Sequence, residues 1–374
     1  MKKRPPKNLK PERETISCSA ERTEIGELSP RWQNELQQLF AQTQVNHNAQ
    51  AFVMKREPDF FRLLRYQGQR AFTLGAYQAD RLWGAMTVSL DQWYVDGQWR
   101  DCAYTADLKV SPEARGQGLG DALMQGAIHL ARRELNHPLI WTTVAADNPA
   151  GLRKNQKLAP LVHMQKVGDL STVFFPCLPA FDNLPKLSTG SAACAQTRHG
   201  RLTLRRLNCS QPADQQLWLN FWQTWAPYRQ GSRHYKRWGE KHFPPMQLML
   251  GLFAGTELVG SLGLWNQQDC RQITLPRQPQ LIQQYIYSGQ GSVALWCGVH
   301  LAMHPAYRRA LPVLLRTACR EVAQRGGRLL GLAVDRQDPL FEFLPQPYAQ
   351  NHLLLLSSEQ PRKTYPFHAE LALG

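Results

Sequence analysis

Apolar residues recur along the chain at the two spacings that distinguish strands from helices. Alternating or short continuous apolar runs bounded by turn residues predict strands, and apolar positions at i, i+3, i+4 and i+7 predict helices. Their order predicts a mixed α/β fold in which helices flank a mostly antiparallel sheet. In the first half, the predicted strands cover residues 23–28, 70–78, 81–94, 100–110 and 139–144, and the predicted helices cover residues 29–42, 58–67 and 119–131.

The same order of elements occurs twice. Residues 74–84 align without a gap on residues 250–260, and both segments predict a hairpin with a tight turn. Residues 110–112 (Val-Ser-Pro) match residues 303–305 (Met-His-Pro), and a helix with the same apolar rhythm follows each of them. These matches predict two related halves.

A strand and a helix start follow in both halves. The short apolar strand at 139–144 leads to Asn148–Pro149, and the strand at 329–334 leads to Asp338–Pro339. A short polar side chain followed by proline is typical of the first residues of a helix. Four matches in one order favour a duplication over a coincidence of common β/α patterns, and therefore predict two tandem domains.

Composition divides the chain between these domains. Residues 1–15 combine lysines with prolines and few apolar residues, which predicts a disordered basic arm. Pro, Ser, Gly and Ala are frequent in residues 176–200, which predicts a linker there. We therefore expect a first domain over 16–178, a linker over 179–199 and a second domain over 200–374.

One loop of the first domain is rich in glycine. It follows the strand that ends at Val110, and Gly116, Gly118 and Gly120 come just before or at the start of a long helix. Glycine permits backbone angles that let successive N–H groups converge on an anion, and a helix N-terminus adds positive potential. Arg115 adds a charged donor, so a pyrophosphate is the ligand that this loop would bind.

Three kinds of phosphate-binding loop compete for this segment. The Gly-Lys-Ser/Thr of the P-loop is absent, and the glycine spacing differs from the dinucleotide fingerprint. The remaining pattern is R-x-x-G-x-G, at Arg115, Gly118 and Gly120. With the strand before it and the helix after it, this segment resembles the GNAT superfamily of N-acetyltransferases. The resemblance covers residues 21–177 and implies acetyl-coenzyme A as co-substrate.

The resemblance also implies where the coenzyme binds. Its pantetheine arm would lie beside the strand end, where a splay from the strand at 139–144 would admit the thioester and a main-chain N–H near Leu108 would stabilise the oxyanion. Asn148 matches the family's asparagine that meets the coenzyme. The implied coenzyme-binding residues are Leu108, Lys109, Val110, Arg115, Gly116, Gln117, Gly118, Leu119, Gly120 and Asn148.

The implied reaction is direct attack of a neutral primary amine on the thioester in a ternary complex, accelerated mainly by positioning. Asp107 is the first candidate for the base, followed by Tyr104 and Glu113. The alternative for Asp107 is a surface carboxylate or an ion pair with Lys109. Many family members have a tyrosine as general acid seven residues after the asparagine, and here that position is Asn155.

The second copy lacks the glycines. Arg308 takes the place of Arg115, but Arg309, Ala310 and Pro312 replace the glycines. Proline has no N–H to offer, so we expect a degenerate GNAT-like domain that folds without binding the coenzyme productively. An insertion between Trp265 and Val293 either walls the acceptor site of the first domain or only covers sheet edges. Five tryptophans are expected to be mostly core: Trp218, Trp222, Trp225, Trp238 and Trp265.

Charge and cysteine content limit the setting. The net charge is +15, but no Lys/Arg block is interleaved with aromatics, which argues against nucleic acid as the main partner. The eight cysteines have no metal-ligand spacing, so we expect no metal site and reduced thiols in a cytoplasmic protein. We expect neither a secretory signal nor a membrane span, and the chain is expected to be a monomer or homodimer.

Three functions remain open at this point. The first is an acetyl-coenzyme A-dependent N-acetyltransferase that acts on an amine of a small molecule or peptide. The second is an aminoacyl transferase that uses charged tRNA, since tandem GNAT-like folds are known for that chemistry. The third is a non-catalytic coenzyme sensor or scaffold, which the missing tyrosine suggests.

Overall fold

The computed structural model describes most of the chain between Thr23 and His368. The described residues are 23–43, 45–47, 50–177, 193–197, 200–274, 287, 291–345, 347, 349–362 and 365–368. The predicted basic arm (1–15) lies outside them.

The first half contains eight strands and four α-helices among its described residues. The strands are β1 (Glu24–Glu27), β2 (Val45–His47), β3 (Gln50–Lys55), β4 (Arg70–Gln78), β5 (Arg81–Val95), β6 (Gln98–Val110), β7 (Leu139–Ala145) and β8 (Gln165–Pro176). The helices are α1 (Gln33–Gln42), α2 (Leu64–Gln67), α3 (Leu119–Glu134) and α4 (Pro149–Lys157).

The second half contains nine strands and two α-helices among its described residues. Its strands are β9 (Ala193–Thr197), β10 (Gly200–Leu207), β11 (Ser232–Arg233), β12 (Leu248–Ala254), β13 (Glu257–Asn266), β14 (Gln272–Thr274), β15 (Leu295–Met303), β16 (Leu329–Asp335) and β17 (Ala349–Ser357). Its α-helices are α5 (Pro212–Trp225) and α6 (Leu311–Gln324).

Both halves contribute to one large sheet. Its strand order is β1-β4-β5-β6-β7-β17-β8-β16-β15-β13-β12-β10-β9, with β11 paired to β5. Only β6/β7 and β15/β16 pair in parallel, while the other ladders of the sheet are antiparallel. The predicted fold class, a mixed and mostly antiparallel sheet flanked by helices, is therefore confirmed.

The halves exchange a strand at the centre of this sheet. β17 of the second half lies between β7 and β8 of the first half, and β8 pairs with β16 of the second half. The sheet is therefore symmetric about its centre. On one side β7, β6, β5, β4 and β1 follow each other, and on the other side β16, β15, β13, β12 and β10 take the corresponding places. The topology thus shows the duplication that the sequence predicts. The placement of β17 between β7 and β8 involves both halves, so neither half shows it alone.

Helix α3 covers one face of the first half. Leu119, Leu123 and Ala127 of α3 pack with Val88 of β5 and Ala103 of β6 in one buried cluster. Helix α6 does the same in the second half. Of the five singled-out tryptophans, Trp218, Trp222 and Trp265 are buried, as expected, and Trp225 and Trp238 pack against the same core as Trp218.

Two local expectations were wrong, and one hairpin was not expected. The helix expected at 58–67 is α-helical only in α2, its last turn. The hairpin β2–β3 was not foreseen at all. The helix start expected at Asp338–Pro339 produces only a short 3-10 turn, Phe341–Phe343. In addition, β9 lies within the segment expected to be linker.

Membrane-spanning helices, metal ligands and cysteines can be considered for the described residues. None of their helices has both the length and the apolar character that a bilayer crossing requires. No group of three or more potential metal ligands occurs among them. Six cysteines of the described residues are free, and five of these six are buried.

Candidate active site

Strand β6 carries a bulge near its end. Ala85 pairs with Lys109 and Thr87 pairs with Ala106, so two residues of β6 oppose one residue of β5. Asp107, within the bulge, has a left-handed backbone with φ +58°. A β-bulge bends its strand and increases the local twist. Here the bend turns the last residues of β6 away from the ladder that precedes them.

The pairing between β6 and β7 ends at this bend, and the space between the strands beyond that point is called the cleft below. Their parallel ladder runs from Cys102 and Leu139 to Thr105 and Thr142. Strand β6 continues to Val110, whereas β7 continues along β17. The two strands are thus no longer paired after Thr105, and Leu108 lies three residues beyond this point.

The glycine-rich loop follows β6 and leads into α3. A 3-10 turn at Pro112–Ala114 comes first, and α3 then begins at Leu119. Gly116 and Gly118 have φ values of +83° and +79°, which side chains other than glycine rarely adopt. Both glycines are therefore required by the backbone of this loop.

Gly120 differs from these two glycines, since its backbone is helical and only the end of a flexible side chain lies close to it. A Cβ atom at Gly120 would lie 2.6 Å from Lys154 Nζ. Lys154 belongs to α4 and forms an ion pair of 2.8 Å with Asp121. This ion pair connects α4 to the first turn of α3.

The amides of this loop are open to a ligand. Among the described residues, the N–H groups of Gly116, Gly118, Leu119 and Gly120 donate no hydrogen bond. Residues 115–118 are exposed. A 16-residue helix that begins with unsatisfied amides presents positive potential to an anion.

Asp107 has a partner that sequence reasoning missed. Its Oδ2 accepts hydrogen bonds from Nη2 of Arg56 and, at 3.1 Å, from Oγ1 of Thr87. Arg56 follows the unforeseen strand β3, and its side chain is fully buried. The ion pair considered for Asp107 from the sequence was with Lys109, but the structure pairs it with Arg56. No signal in the sequence connects residues that far apart.

Tyr104 lies at the base of the same cleft. Its hydroxyl is 2.7 Å from Oγ1 of Thr143, so the two side chains bridge β6 and β7 where the ladder ends. Burial raises the pKa of Tyr104 to about 12, and the nearby charge of Asp107 also raises it. A phenol with this pKa stays protonated at neutral pH and is suited to donate a proton rather than to accept one.

The remaining candidates are less central. Glu113 pairs with Arg81 at the surface, and about two-thirds of its side chain is exposed. Asn148 caps α4 by accepting a hydrogen bond of 3.0 Å from the amide of Gly151. Asn155 is buried and donates to the carbonyl of Gly151, and an amide has no proton to transfer to a thiolate.

The second half keeps the bulge but not the loop. His300 and Leu301 of β15 oppose one residue of β13, as Asp107 and Leu108 do in β6, and His300 has φ +54°. A 3-10 helix, Pro305–Ala310, replaces the glycine-rich loop. The strands of the second half therefore reproduce the geometry of the first, whereas its loop presents no comparable row of amides.

A side chain occupies the corresponding cleft of the second half. Nη1 of Arg229 donates to the carbonyl oxygen of Leu301 at 2.6 Å, and its Nε lies 3.1 Å from Asp338. Leu301 is the counterpart of Leu108. The main-chain group that a pantetheine arm would approach in this half is therefore taken by the chain's own guanidinium.

The insertion contacts the first half. Strand β14 pairs with β3, Gln272 lying opposite Lys55. Asp269 forms an ion pair of 2.5 Å with Arg62, and the rings of Trp265 and Tyr66 pack edge to face. The insertion thus covers the edge of strand β3, which agrees with the second of its two expected roles.

Comparison with known proteins identifies the class. Residues 33–153 match the Acetyltransferase (GNAT) family. This matched segment contains the glycine-rich loop from which the resemblance to the GNAT superfamily was predicted. No curated protein matches it in sequence.

The fold as a whole is shared with a larger acyltransferase. A structure of Saccharomyces cerevisiae N-myristoyltransferase with bound myristoyl-CoA matches 96% of this chain and 84% of its own length, with a TM-score of 0.62 and 12% identity. A second structure of the yeast enzyme with myristoyl-CoA covers 96% and 88%, with a TM-score of 0.59 and 12% identity. At this identity the likeness concerns the fold alone.

Proposed function

We propose that this protein is an N-acetyltransferase that transfers an acetyl group from acetyl-coenzyme A to a primary amine. The observation that carries the proposal is the row of open amides at the start of α3, directly beside the cleft between β6 and β7. An anion-binding loop and a strand splay in this arrangement suit a long substrate that has a diphosphate at one end and a thioester at the other.

The chain would bind the coenzyme along three elements. The amides from Arg115 to Gly120 would hold the pyrophosphate, and the exposed guanidinium of Arg115 would add a charged donor. The edge of β6 from Leu108 to Val110 would hold the pantetheine arm, and Asn148 at the start of α4 would meet it. The amide near Leu108 would stabilise the oxyanion.

Two side chains are suited to move protons at the cleft. Both hydrogen bonds to Asp107 end on Oδ2, so Oδ1 is the oxygen that can accept the proton of the amine. Tyr104 holds its proton at neutral pH, and it can therefore supply a proton to the leaving thiolate in place of the tyrosine that Asn155 replaces. Glu113 is too exposed, and too engaged with Arg81, to be the better base.

Titration calorimetry with acetyl-CoA, myristoyl-CoA and tRNA would test the donor. We expect acetyl-CoA to bind with one site per chain, since only the first loop has open amides, and tRNA not to bind with comparable affinity. If only myristoyl-CoA binds, the proposed donor would be a long-chain acyl-CoA and not acetyl-CoA. Binding of tRNA without coenzyme would contradict the proposal and favour the aminoacyl transferase.

Release of free thiol in the presence of amines would separate an enzyme from a sensor. We expect turnover with at least one class of primary amine. A protein that binds acetyl-CoA but releases no thiol with any amine of a broad panel would be a sensor or scaffold instead.

A further inference from the structure

Tyr104 and Thr143 form an isolated pair of hydroxyl groups at the cleft. Their oxygen atoms lie 2.7 Å apart, and either of them can be the donor. Within the part of the chain that the structure describes, neither hydroxyl makes a second hydrogen bond. One proton of the pair therefore lies between the two oxygens, and the other has no acceptor among the described residues.

Burial favours one direction for this hydrogen bond. Tyr104 is buried, and its ring packs in an apolar cluster that includes Trp141, Leu355 and Phe367. Thr143 is partly exposed. A buried hydroxyl proton needs an acceptor, and apolar side chains offer none, so Tyr104 donates to Thr143. The proton of the Thr143 hydroxyl is then the one that a bound substrate can reach.

Thr143 lies directly beyond the end of the β6/β7 ladder. The last pair of that ladder is Thr105 and Thr142, and an earlier pair is Tyr104 and Trp141. Side chains alternate along a strand, so Thr143 is on the same face as the Tyr104 pair. It is therefore the first β7 side chain on this face that borders the cleft, where the proposed reaction needs the thioester.

The second half lacks both hydroxyl groups. The parallel ladders β6/β7 and β15/β16 begin at equivalent residues of the two halves. Counted from these first pairs, Tyr104 corresponds to Cys297 and Thr143 corresponds to Ala333. The half without the glycine-rich loop thus has neither member of the pair. The two hydroxyls accompany the loop and are not a requirement of the shared fold.

Resting on the function proposed above, we propose that Thr143 is a catalytic residue that passes a proton from Tyr104 to the leaving sulfur. The amine nitrogen forms its bond to the acetyl carbon, and Asp107 takes the proton of the amine. The C–S bond then breaks, and its electron pair goes to the sulfur. The sulfur takes the proton of the Thr143 hydroxyl, while Thr143 takes that of Tyr104. Asp107 later releases its proton to water and Tyr104 regains one from water, so both residues are restored.

Variants of Thr143 test this role in the thiol-release assay with acetyl-CoA and an amine that the wild type accepts. We expect Thr143→Val and Thr143→Ala to lower kcat by about tenfold to a thousandfold, which is the scale of a general acid. Thr143→Ser should keep most of the activity, because it retains the hydroxyl. Acetyl-CoA affinity, measured by calorimetry, should stay within about twofold of the wild type in all three variants, since only the proton transfer is affected.

A double variant separates a relay from two independent contributions. Because the relay fails when either hydroxyl is missing, Thr143→Val combined with Tyr104→Phe should be about as slow as the slower single variant. The matched control is Thr142→Val, which removes the neighbouring hydroxyl. That hydroxyl donates to the carbonyl oxygen of Thr105 at 2.9 Å and belongs to the opposite face of the strand. We expect a wild-type kcat for this control.

Three results in an active wild type would overturn the inference alone. An unchanged kcat in Thr143→Val or Thr143→Ala would show that no proton passes through Thr143. Losses that multiply in the double variant would show that the two hydroxyls act separately. Weaker acetyl-CoA binding in Thr143→Ala, with kcat unchanged, would assign Thr143 to coenzyme binding. A wild type that releases no thiol with any amine would instead contradict the proposed function itself.

Discussion

The chemical role of a residue at the cleft depends on the groups that contact it as well as on its residue type. Asp107 and Tyr104 are close in sequence and both lie at the splay, yet their surroundings differ. Asp107 shares one oxygen between Arg56 and Thr87, while Tyr104 is buried with Thr143 and has a pKa raised to about 12. These contacts suggest opposite roles, acceptor and donor, for two residues that the sequence offers as alternative bases.

Replacing the hydroxyl of Tyr104 tests the donor role. We expect Tyr104→Phe to lower kcat by about tenfold to a thousandfold, because a general acid contributes on this scale, and to leave acetyl-CoA binding unchanged. Steady-state kinetics with calorimetry would measure both quantities. Tyr228→Phe, at an exposed tyrosine of the second half, serves as control and should match the wild type. An unchanged kcat in Tyr104→Phe would show that Tyr104 does not donate a proton to the thiolate that leaves.

At the scale of elements, the strand–loop–helix unit from β6 to α3 was predictable and the segment before the meander was not. The glycine spacing and the apolar rhythm of α3 are local features, and they place the loop correctly between strand and helix. The hairpin β2–β3 is short, and its strand β3 is held by β14 from the other half of the chain. Arg56 at its end was invisible to sequence reasoning for that reason.

Two glycines with nearly the same φ angle allow the effect of backbone strain to be measured separately from the effect on ligand binding. Gly116 has φ +83° and Gly326 has φ +80°, and a Cβ atom at either would meet nothing within 4 Å. We expect Gly116→Ala and Gly326→Ala to lower the free energy of unfolding by a similar amount, about 1–2 kcal/mol. Denaturant unfolding would measure this change.

Only the first of these variants should affect the coenzyme. Gly116 belongs to the loop of open amides, whereas Gly326 follows α6, so calorimetry should show weaker acetyl-CoA binding for Gly116→Ala and normal binding for Gly326→Ala. Equal affinities in the two variants would contradict the assignment of the loop.

At the scale of the whole molecule, the exchanged strand joins the halves. β17 fills the place between β7 and β8, with Leu353 opposite Ala145 on one side and Leu170 on the other. Without it, two strand edges in the middle of the sheet would expose their N–H and C=O groups. Each half therefore receives a neighbouring strand from the other, an exchange that the prediction of two tandem domains did not include.

Cutting the chain in the predicted linker tests this dependence. We expect residues 1–178 to aggregate when expressed alone, because β17 is missing from their sheet. Coexpression with residues 179–374 should give a soluble one-to-one complex that binds acetyl-CoA, which size-exclusion chromatography and calorimetry would show. A soluble, monomeric and coenzyme-binding first half would mean that the exchange is dispensable.

The sequence by itself determined the features that depend on neighbouring residues. These are the β/α order, the duplication, the glycine loop with its GNAT pattern, and the loss of that loop in the second copy. They were readable because periodicity, turn chemistry and backbone freedom act over a few residues.

Only the tertiary structure decided which distant groups meet. It brought Arg56 to Asp107, Arg229 to Leu301, β14 to β3 and β17 between β7 and β8. The physical reason is that strand pairing and ion pairing join segments whose separation along the chain leaves no local trace. The second copy has the same bulge and strands as the first, and there the tertiary fold brings Arg229 to the main chain of Leu301.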